Sequence, residues 1–187
     1  LVEAHRYYRR YAARKRFRDF FVRPSRAPAV DERPVHGLPE GRVIDLTFES
    51  SFRSRHPRIR ELLARRPELR LFYARHWRHD AGARATIIAL HGWTMGDQRI
   101  NSLAFLPGVL YQLGYDIVLV ELPYHGRRRE QQKGGIAFPS ADAVLTNEAV
   151  AQILCELREL RMHLEARGAP PIGCAGMSLG GYLAALW

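Results

Sequence analysis

From residue 42 onward the apolar positions follow two periods in turn, and their order predicts the architecture. Residues 42–49 alternate apolar and polar side chains, the mark of a strand with one buried face. Residues 57–66, opened by Pro57, read as a short helix carrying Leu62 and Leu63, and residues 69–75 alternate again. Residues 85–90 and 115–121 are instead almost continuously apolar, as expected of parallel strands covered on both faces. Between them, residues 99–113 read as a helix that Pro107-Gly108 must interrupt or kink. The clearest helix is 146–166, where Val150, Ile153, Leu157, Leu160 and Leu164 recur at helical spacing before Gly168 ends it. A short apolar run at 171–175 then delivers a glycine-rich turn and a helix start. Two alternating strands followed by strands and helices in turn predict an α/β fold, parallel from the third strand on, with helices on both faces. Right-handed crossovers would place the loops after these strands on one edge of the sheet, where such sheets bind ligands.

Upstream of this pattern lie two stretches of different character. Residues 1–23 contain no helix breaker and carry Tyr7, Tyr8, Tyr11, Phe17, Phe20 and Phe21 among many arginines, which predicts a basic, aromatic-rich helix. Arg14 and Arg18 share a helical face with Tyr7 and Tyr11, so two readings stand. The helix lies on an anionic membrane surface, or it docks its aromatics on the domain and leaves its arginines in water. Residues 24–41, with Pro24, Pro28, Pro34 and Pro39, read as a linker that leaves the domain proper to residues 42–187.

Composition narrows the function classes. With 187 residues, 47% hydrophobic and 26% charged, the chain can build one ordinary core, and no apolar run reaches the ~18–20 residues of a membrane span. The net charge of +10 is concentrated: residues 1–30 hold nine Arg and Lys against Glu3 and Asp19, leaving +3 for the remainder. Basicity therefore belongs to the N-terminal segment, and without a recognised binding module it does not indicate a nucleic-acid partner. Cys155 and Cys174 fall in a predicted helix and a predicted core strand, which suits reduced thiols and a cytoplasmic setting, with no disulfide framework or zinc site.

The candidate chemistry sits in Gly176-Met177-Ser178-Leu179-Gly180-Gly181, between the apolar run and the last helix. A G-x-S-x-G stretch between strand and helix is the context of a nucleophile elbow. A serine at such a tip needs neighbours without bulk, which Gly176 and Gly180 supply, while Gly181 allows close helix–sheet packing. Ser178 would stand at a helix N-terminus, where backbone N–H groups favour developing negative charge. Two further loops open at the same predicted edge: His91-Gly92-Trp93-Thr94 after 85–90, and Leu122-Pro123-Tyr124-His125-Gly126 after 115–121.

Taken together, these three landmarks resemble the α/β-hydrolase superfamily over residues 42–187, and the wording L-P-Y-H-G-R-R and G-M-S-L-G-G-Y is similar to a sparsely characterised branch of alpha/beta-hydrolase-domain proteins. The resemblance implies a serine hydrolase of esterase or lipase-like type with Ser178 as nucleophile. It implies Leu179 and Trp93 as backbone oxyanion donors, with Thr94 as an alternative to Trp93, and no cofactor or metal. His91, Gly92, Gly176, Gly180 and His125 would then shape the site, and Arg127, Arg128 and Arg129 would meet substrate at its edge. In such proteins the acid and the histidine of the triad follow the serine in the chain, so both are expected beyond Trp187. A following strand is expected beside the elbow strand too, so that residues 1–187 on their own are expected to be poorly stable and nearly inactive. The substrate implied is a small-molecule or lipid ester. A non-catalytic binding module on the same fold, and a membrane-surface protein acting through residues 1–23, are the competing readings.

Overall fold

A computed structural model of the protein describes residues 2–13, 20–129 and 138–187. Among these, six strands form one sheet in the order β1-β2-β3-β5-β4-β6: β1 Asp31–Leu38, β2 Gly41–Glu49, β3 Leu71–His79, β4 Ala85–Leu90, β5 Tyr115–Glu121 and β6 Ile172–Gly176. The strands β1 to β3 and β5 pair antiparallel in succession, while β4 lies parallel between β5 and β6. The ends of β2, β4, β5 and β6 consequently point to one edge of the sheet.

Both faces of the sheet are covered, which is why β4 and β5 are apolar along most of their length. Ile117 and Leu119 of β5 face a cluster with Val43, Trp77, Ala89 and Tyr111, closed by helices α3 (Gln98–Phe105) and α4 (Pro107–Gln112). Val118 and Val120 face the larger cluster beneath helix α5 (Ala143–Ala166) and helix α6 (Leu179–Leu186). The interruption expected at Pro107-Gly108 falls one residue earlier: Leu106 takes φ 48° and ends α3, and Pro107 opens α4. Helix α5 begins at Ala143, three residues before its periodicity shows, because the Asp142 carboxylate accepts hydrogen bonds from the amides of Val144 (3.0 Å) and Leu145 (3.1 Å).

Two N-terminal expectations change. Part of the expected linker is strand β1, which pairs with β2 along its length although most of its residues are exposed. Pro34 is tolerated because β1 is an edge strand, and the register shifts between Pro34 and His36. Helix α1 spans Val2–Ala13. The expected continuation through 14–19 lies outside the described residues, and Phe20, Phe21 and Val22 pack against the core. Helix α1 turns its aromatics inward. The Tyr8 hydroxyl donates to Val144 O and Glu148 Oε1 (both 3.3 Å), Tyr8 packs edge-on to Phe20 at 5.4 Å, and Tyr7 lies 4.4 Å from the His56 ring. Arg6, Arg9 and Arg10 stay exposed. Glu3 reaches Arg58, which also forms a two-point pair with Asp142 at 2.6 and 3.0 Å. His56 and Arg58 follow β2 and Asp142 precedes α5, so α1 docks at the same edge of the sheet as the loops after β4, β5 and β6. Helix α2 (Pro57–Arg65) buries Ile59 and Leu63 alongside.

Candidate active site

Among the described residues, the loops after β4, β5 and β6 each contain one non-glycine residue with positive φ: Thr94 (67°), Tyr124 (66°) and Ser178 (52°). Such residues cost on the order of 1–3 kcal/mol each and persist only where the surroundings impose them. Ser178 combines its φ with ψ −114°, outside the left-handed helical region as well.

The packing around Ser178 imposes this. The Met177 amide donates to Leu90 O (3.1 Å), tying the turn to the end of β4, and the Gly180 amide donates to Met177 O (2.8 Å). A Cβ on Gly176 would overlap the carbonyl group of Gly180, and a Cβ on Gly180 would overlap the carbonyl of Leu90. Only glycine at both positions lets the first turn of α6 press this closely on β4 and β6. Ser178 is the N-cap of α6 yet makes no capping hydrogen bond with its side chain, and the residue is exposed. Leu179 is the first helical residue, whose amide has no partner within the helix.

The loop after β4 backs onto this turn. A Cβ built on Gly92 would lie 3.4 Å from Met177 O and 3.6 Å from Ser178 Cβ. The Met95 amide donates to Gly92 O (3.3 Å) and the Gly92 amide to Met95 Sδ (3.3 Å), which leaves Trp93 and Thr94 exposed at the tip of a tight turn. The loop after β5 interlocks with it from the other side: a Cβ on Gly96 would meet His125 Cβ at 2.7 Å and Gly126 N at 2.8 Å. Beneath Gly126, the buried Glu121 carboxylate accepts from the Arg127 amide and from Arg127 Nε (3.0 Å). Burial raises the Glu121 pKa, opposed by Arg127. The sequence reading missed Glu121, although an acidic residue closing an otherwise apolar strand was a visible signal.

Both histidines near the site have structural partners. His91 is fully buried: Nδ1 donates to Gly92 O (2.8 Å) and Nε2 accepts from the Leu122 amide (3.1 Å), so one ring bolts the two loops together. Burial pushes its pKa down to about 4, in keeping with a neutral ring that both donates and accepts. His125 Nδ1 donates to Pro123 O (2.9 Å), burial lowers its pKa too, and its ring meets His91 edge-on at 4.9 Å.

The three arginines do not act as one group. Arg127 is held by Glu121, with its guanidinium 4.0 Å from the Tyr73 ring centre, and Arg129 is exposed. Arg128 corrects the expectation that it meets substrate at the edge: it is fully buried. Its guanidinium forms a two-point pair with Glu156 (2.9 and 2.7 Å) and donates to Leu69 O (2.7 Å) and Glu121 O (3.3 Å). Gln152 Nε2 completes the group, donating to Leu69 O (2.6 Å) and Glu156 Oε1 (2.8 Å).

A separate cavity of about 380 Å³ lies at the opposite edge of the sheet, lined in part by Glu32, His76, His79, Asp116 and His163. It opens at the start of β4 and β5, away from Ser178. His163 is half-buried here and pairs with Glu32 at 3.3 Å. Among the described residues no group of three or more His, Cys, Asp or Glu is arranged to hold a metal ion. Burial pushes the pKa of His76 down to about 3, as it pushes that of His91 to about 4, both below the ordinary 6.5. Protons bind the unfolded chain first as the pH falls. The stability these histidines contribute is therefore complete above about pH 6.5 and is lost progressively on acidification toward 4 and then 3. The buried Glu121 carboxylate, its pKa raised, acts in the opposite sense, so the check is NMR titration of the two imidazole rings: both are expected to stay neutral down to about pH 5, and ring resonances titrating near 6.5 would contradict their burial.

A mixed sheet, antiparallel over β1, β2, β3 and β5 and parallel over β5, β4 and β6, with helices on both faces and an exposed serine on a strained strand-to-helix turn, defines an α/β-hydrolase-fold protein. Within that class, the family described as "Alpha/beta hydrolase domain containing 18" matches residues 8–187, and the chain belongs to it. Uncharacterized proteins of two Mycobacterium tuberculosis strains, CDC 1551 and H37Rv, are each 33% identical over 116 residues, a stretch that is 61% of this chain and 28% of theirs. Among solved structures, acetyl xylan esterase 1 from Thermoanaerobacterium sp. JW/SL YS485 aligns with a TM-score of 0.57 at 16% identity, over 89% of this chain and 50% of that one. A cold-adapted esterase from an Arctic intertidal metagenomic library aligns with a TM-score of 0.56 at 15% identity, over 84% and 58%. These likenesses show the fold, and the alignments span about half of those esterases' length.

Proposed function

We propose that the protein is a serine hydrolase that cleaves an ester through an acyl-Ser178 intermediate. The observation that carries this reading is Ser178 itself: an exposed hydroxyl, free of any capping bond, on a backbone held at φ 52° by glycine-only contacts. In the proposed reaction Ser178 Oγ loses its proton to a base and bonds to the acyl carbon. The amides of Leu179 and Trp93 stabilise the resulting oxyanion; loss of one such donor typically costs ~10²–10³ in rate. Collapse breaks the ester bond and releases the alcohol with a returned proton, and water then hydrolyses the acyl-serine. Both His91 nitrogens are engaged, so His91 does not serve as that base, and His125 is held in its own turn by the Nδ1 bond to Pro123. This reading requires a base and an acid from elsewhere in the protein. His91, Gly92, Gly176, Gly180 and His125 hold the loops in place.

Fluorophosphonate treatment of the full-length protein tests the proposal. Labelling at Ser178, with ester hydrolysis lowered by ~10⁴-fold or more in Ser178→Ala, is the expected result. An unlabelled wild-type protein would instead mark a binding module that keeps the fold without the chemistry. The likeness to esterases favours a small-molecule ester, and the arginine face of α1 favours a lipid or acyl ester presented at an anionic surface. Among the described residues no helix is long and apolar enough to cross a membrane, and the tyrosines of α1 are turned inward, so such contact would be peripheral and electrostatic.

A further inference from the structure

We propose that the cleft between helix α1 and His56 is a binding site for a phosphate group. It is an open cavity of about 480 Å³ lined by Val2, Glu3, Arg6, Tyr7, Arg10 and His56. Arg6 and Arg10 are one helical turn apart on α1, so their guanidinium groups flank the same opening. Both are exposed, and Arg10 also stacks on the Tyr7 ring with its guanidinium carbon 3.9 Å from the centre, which restricts where its N–H groups point.

Two polar atoms of this lining are buried without a hydrogen-bond partner: the Tyr7 hydroxyl oxygen and His56 Nδ1. Buried polar groups are as a rule satisfied, and each that is not costs free energy unless something supplies the missing bond. His56 is only 5% exposed, and its ring is held between the tilted Tyr7 ring, 4.4 Å away, and Glu3, 3.4 Å from Nε2. Burial and the nearby Glu148 carboxylate push the Tyr7 pKa up to about 12, so this hydroxyl keeps its proton and can donate. Glu3 is the acidic group in the lining, and Arg58 lies 3.4 Å from it. Two guanidinium groups on one face and a protonated hydroxyl supply donors for a tetrahedral oxyanion with several acceptor oxygens, and His56 Nδ1, its Nε2 turned to Glu3, can accept from a protonated phosphate oxygen. An uncharged ligand would leave the two arginines without a counter-charge. The cleft lies at the edge of the sheet where the loops after β4, β5 and β6 open, so a phosphate ester held here would sit on the same side of the molecule as Ser178. The proposal stands on α1 and His56 alone and does not depend on the hydrolase reading.

The test is calorimetric titration of the full-length protein with inorganic phosphate at low ionic strength, repeated in the presence of anionic phosphatidylglycerol vesicles. Saturable binding at one site is expected, weakened on the order of tenfold by Arg6→Gln and lost in the double variant R6Q/R10Q, because charge-assisted bonds dominate such sites. Tyr7→Phe removes only the hydroxyl and should weaken binding while circular dichroism shows the helix retained. Hydrolysis of a small neutral ester should be unchanged in R6Q/R10Q, which separates failure of this site from failure at Ser178. Vesicles that compete with free phosphate would identify a lipid headgroup as the source, and phosphate binding unaffected by vesicles would identify a soluble phosphate ester. Absence of saturable phosphate binding, or binding indifferent to both R6Q/R10Q and Y7F, would overturn the proposal.

Discussion

A single methyl group added at Gly180 is expected to destabilise the protein by more than ~3 kcal/mol and to abolish labelling at Ser178. Overpacking a core typically costs about 1–3 kcal/mol when side chains can move aside. Here the new Cβ would overlap the carbonyl carbon and oxygen of Leu90 and lie 2.8 Å from His91 O, all of them backbone. Relief requires α6 to lift away from β4, which breaks the Met177-to-Leu90 hydrogen bond and releases the turn that holds Ser178 at positive φ. Stability and chemistry should therefore fail together. Gly173→Ala on the neighbouring strand is the matched control, since a Cβ there meets nothing within 4 Å. It should shift the urea midpoint little, in keeping with the ±0.5 kcal/mol typical of surface changes. Wild-type stability in Gly180→Ala would mean that α6 does not pack on β4 as described.

The same contrast explains what could be read in advance. Strands β4 and β5 were legible because both of their faces are buried, and continuous apolarity is the local record of that burial. The site loops were legible because strained turns need particular residues, and glycines at 176 and 180 mark the strain. Strand β1 was not legible. Its residues are held by backbone pairing to β2 with little side-chain burial, and Pro34 and the surrounding charges carry no trace of that pairing. The direction of α1 was hidden for a related reason: Tyr7 and Tyr8 find His56, Val144 and Glu148 only after β2 and α5 have been brought together. The arginine triplet was the most opaque, since Arg127, Arg128 and Arg129 are chemically identical and only the fold separates a half-held, a buried and an exposed one. A faint signal lay on α5, where Glu148, Gln152 and Glu156 recur every four residues along a helix otherwise dense with leucine, alanine and valine. Three buried polar residues in a row called for partners elsewhere in the chain.

Arg128→Met is accordingly expected to cost about 3–5 kcal/mol, the usual consequence of breaking a buried ion pair from one side. The variant strands Glu156, 2% exposed, with Gln152 Nε2 as its remaining donor. It also frees the turn that carries His125 and Gly126, because Arg128 joins that turn to Leu69, to Glu121 and to α5. Since Gly96 is packed against His125 and Gly126, the loosened turn should be felt in the loop that presents Trp93, and labelling at Ser178 should slow even in the folded fraction. The double variant Arg128→Met/Glu156→Gln separates these contributions. Removing the stranded charge should restore much of the lost stability, as buried pairs replaced on both sides often prove neutral. Arg128 Nε already lacks a partner in the native arrangement, so the pair it replaces is itself incompletely satisfied. Labelling should remain slow, because neither methionine nor glutamine reconnects the turn to Leu69 through the guanidinium. Urea denaturation and labelling rates measured on the two variants side by side decide the matter. A double variant as unstable as Arg128→Met alone would place the loss in packing around residue 128, and one that labels at the wild-type rate would show that the ion pair stabilises the fold without positioning the loops.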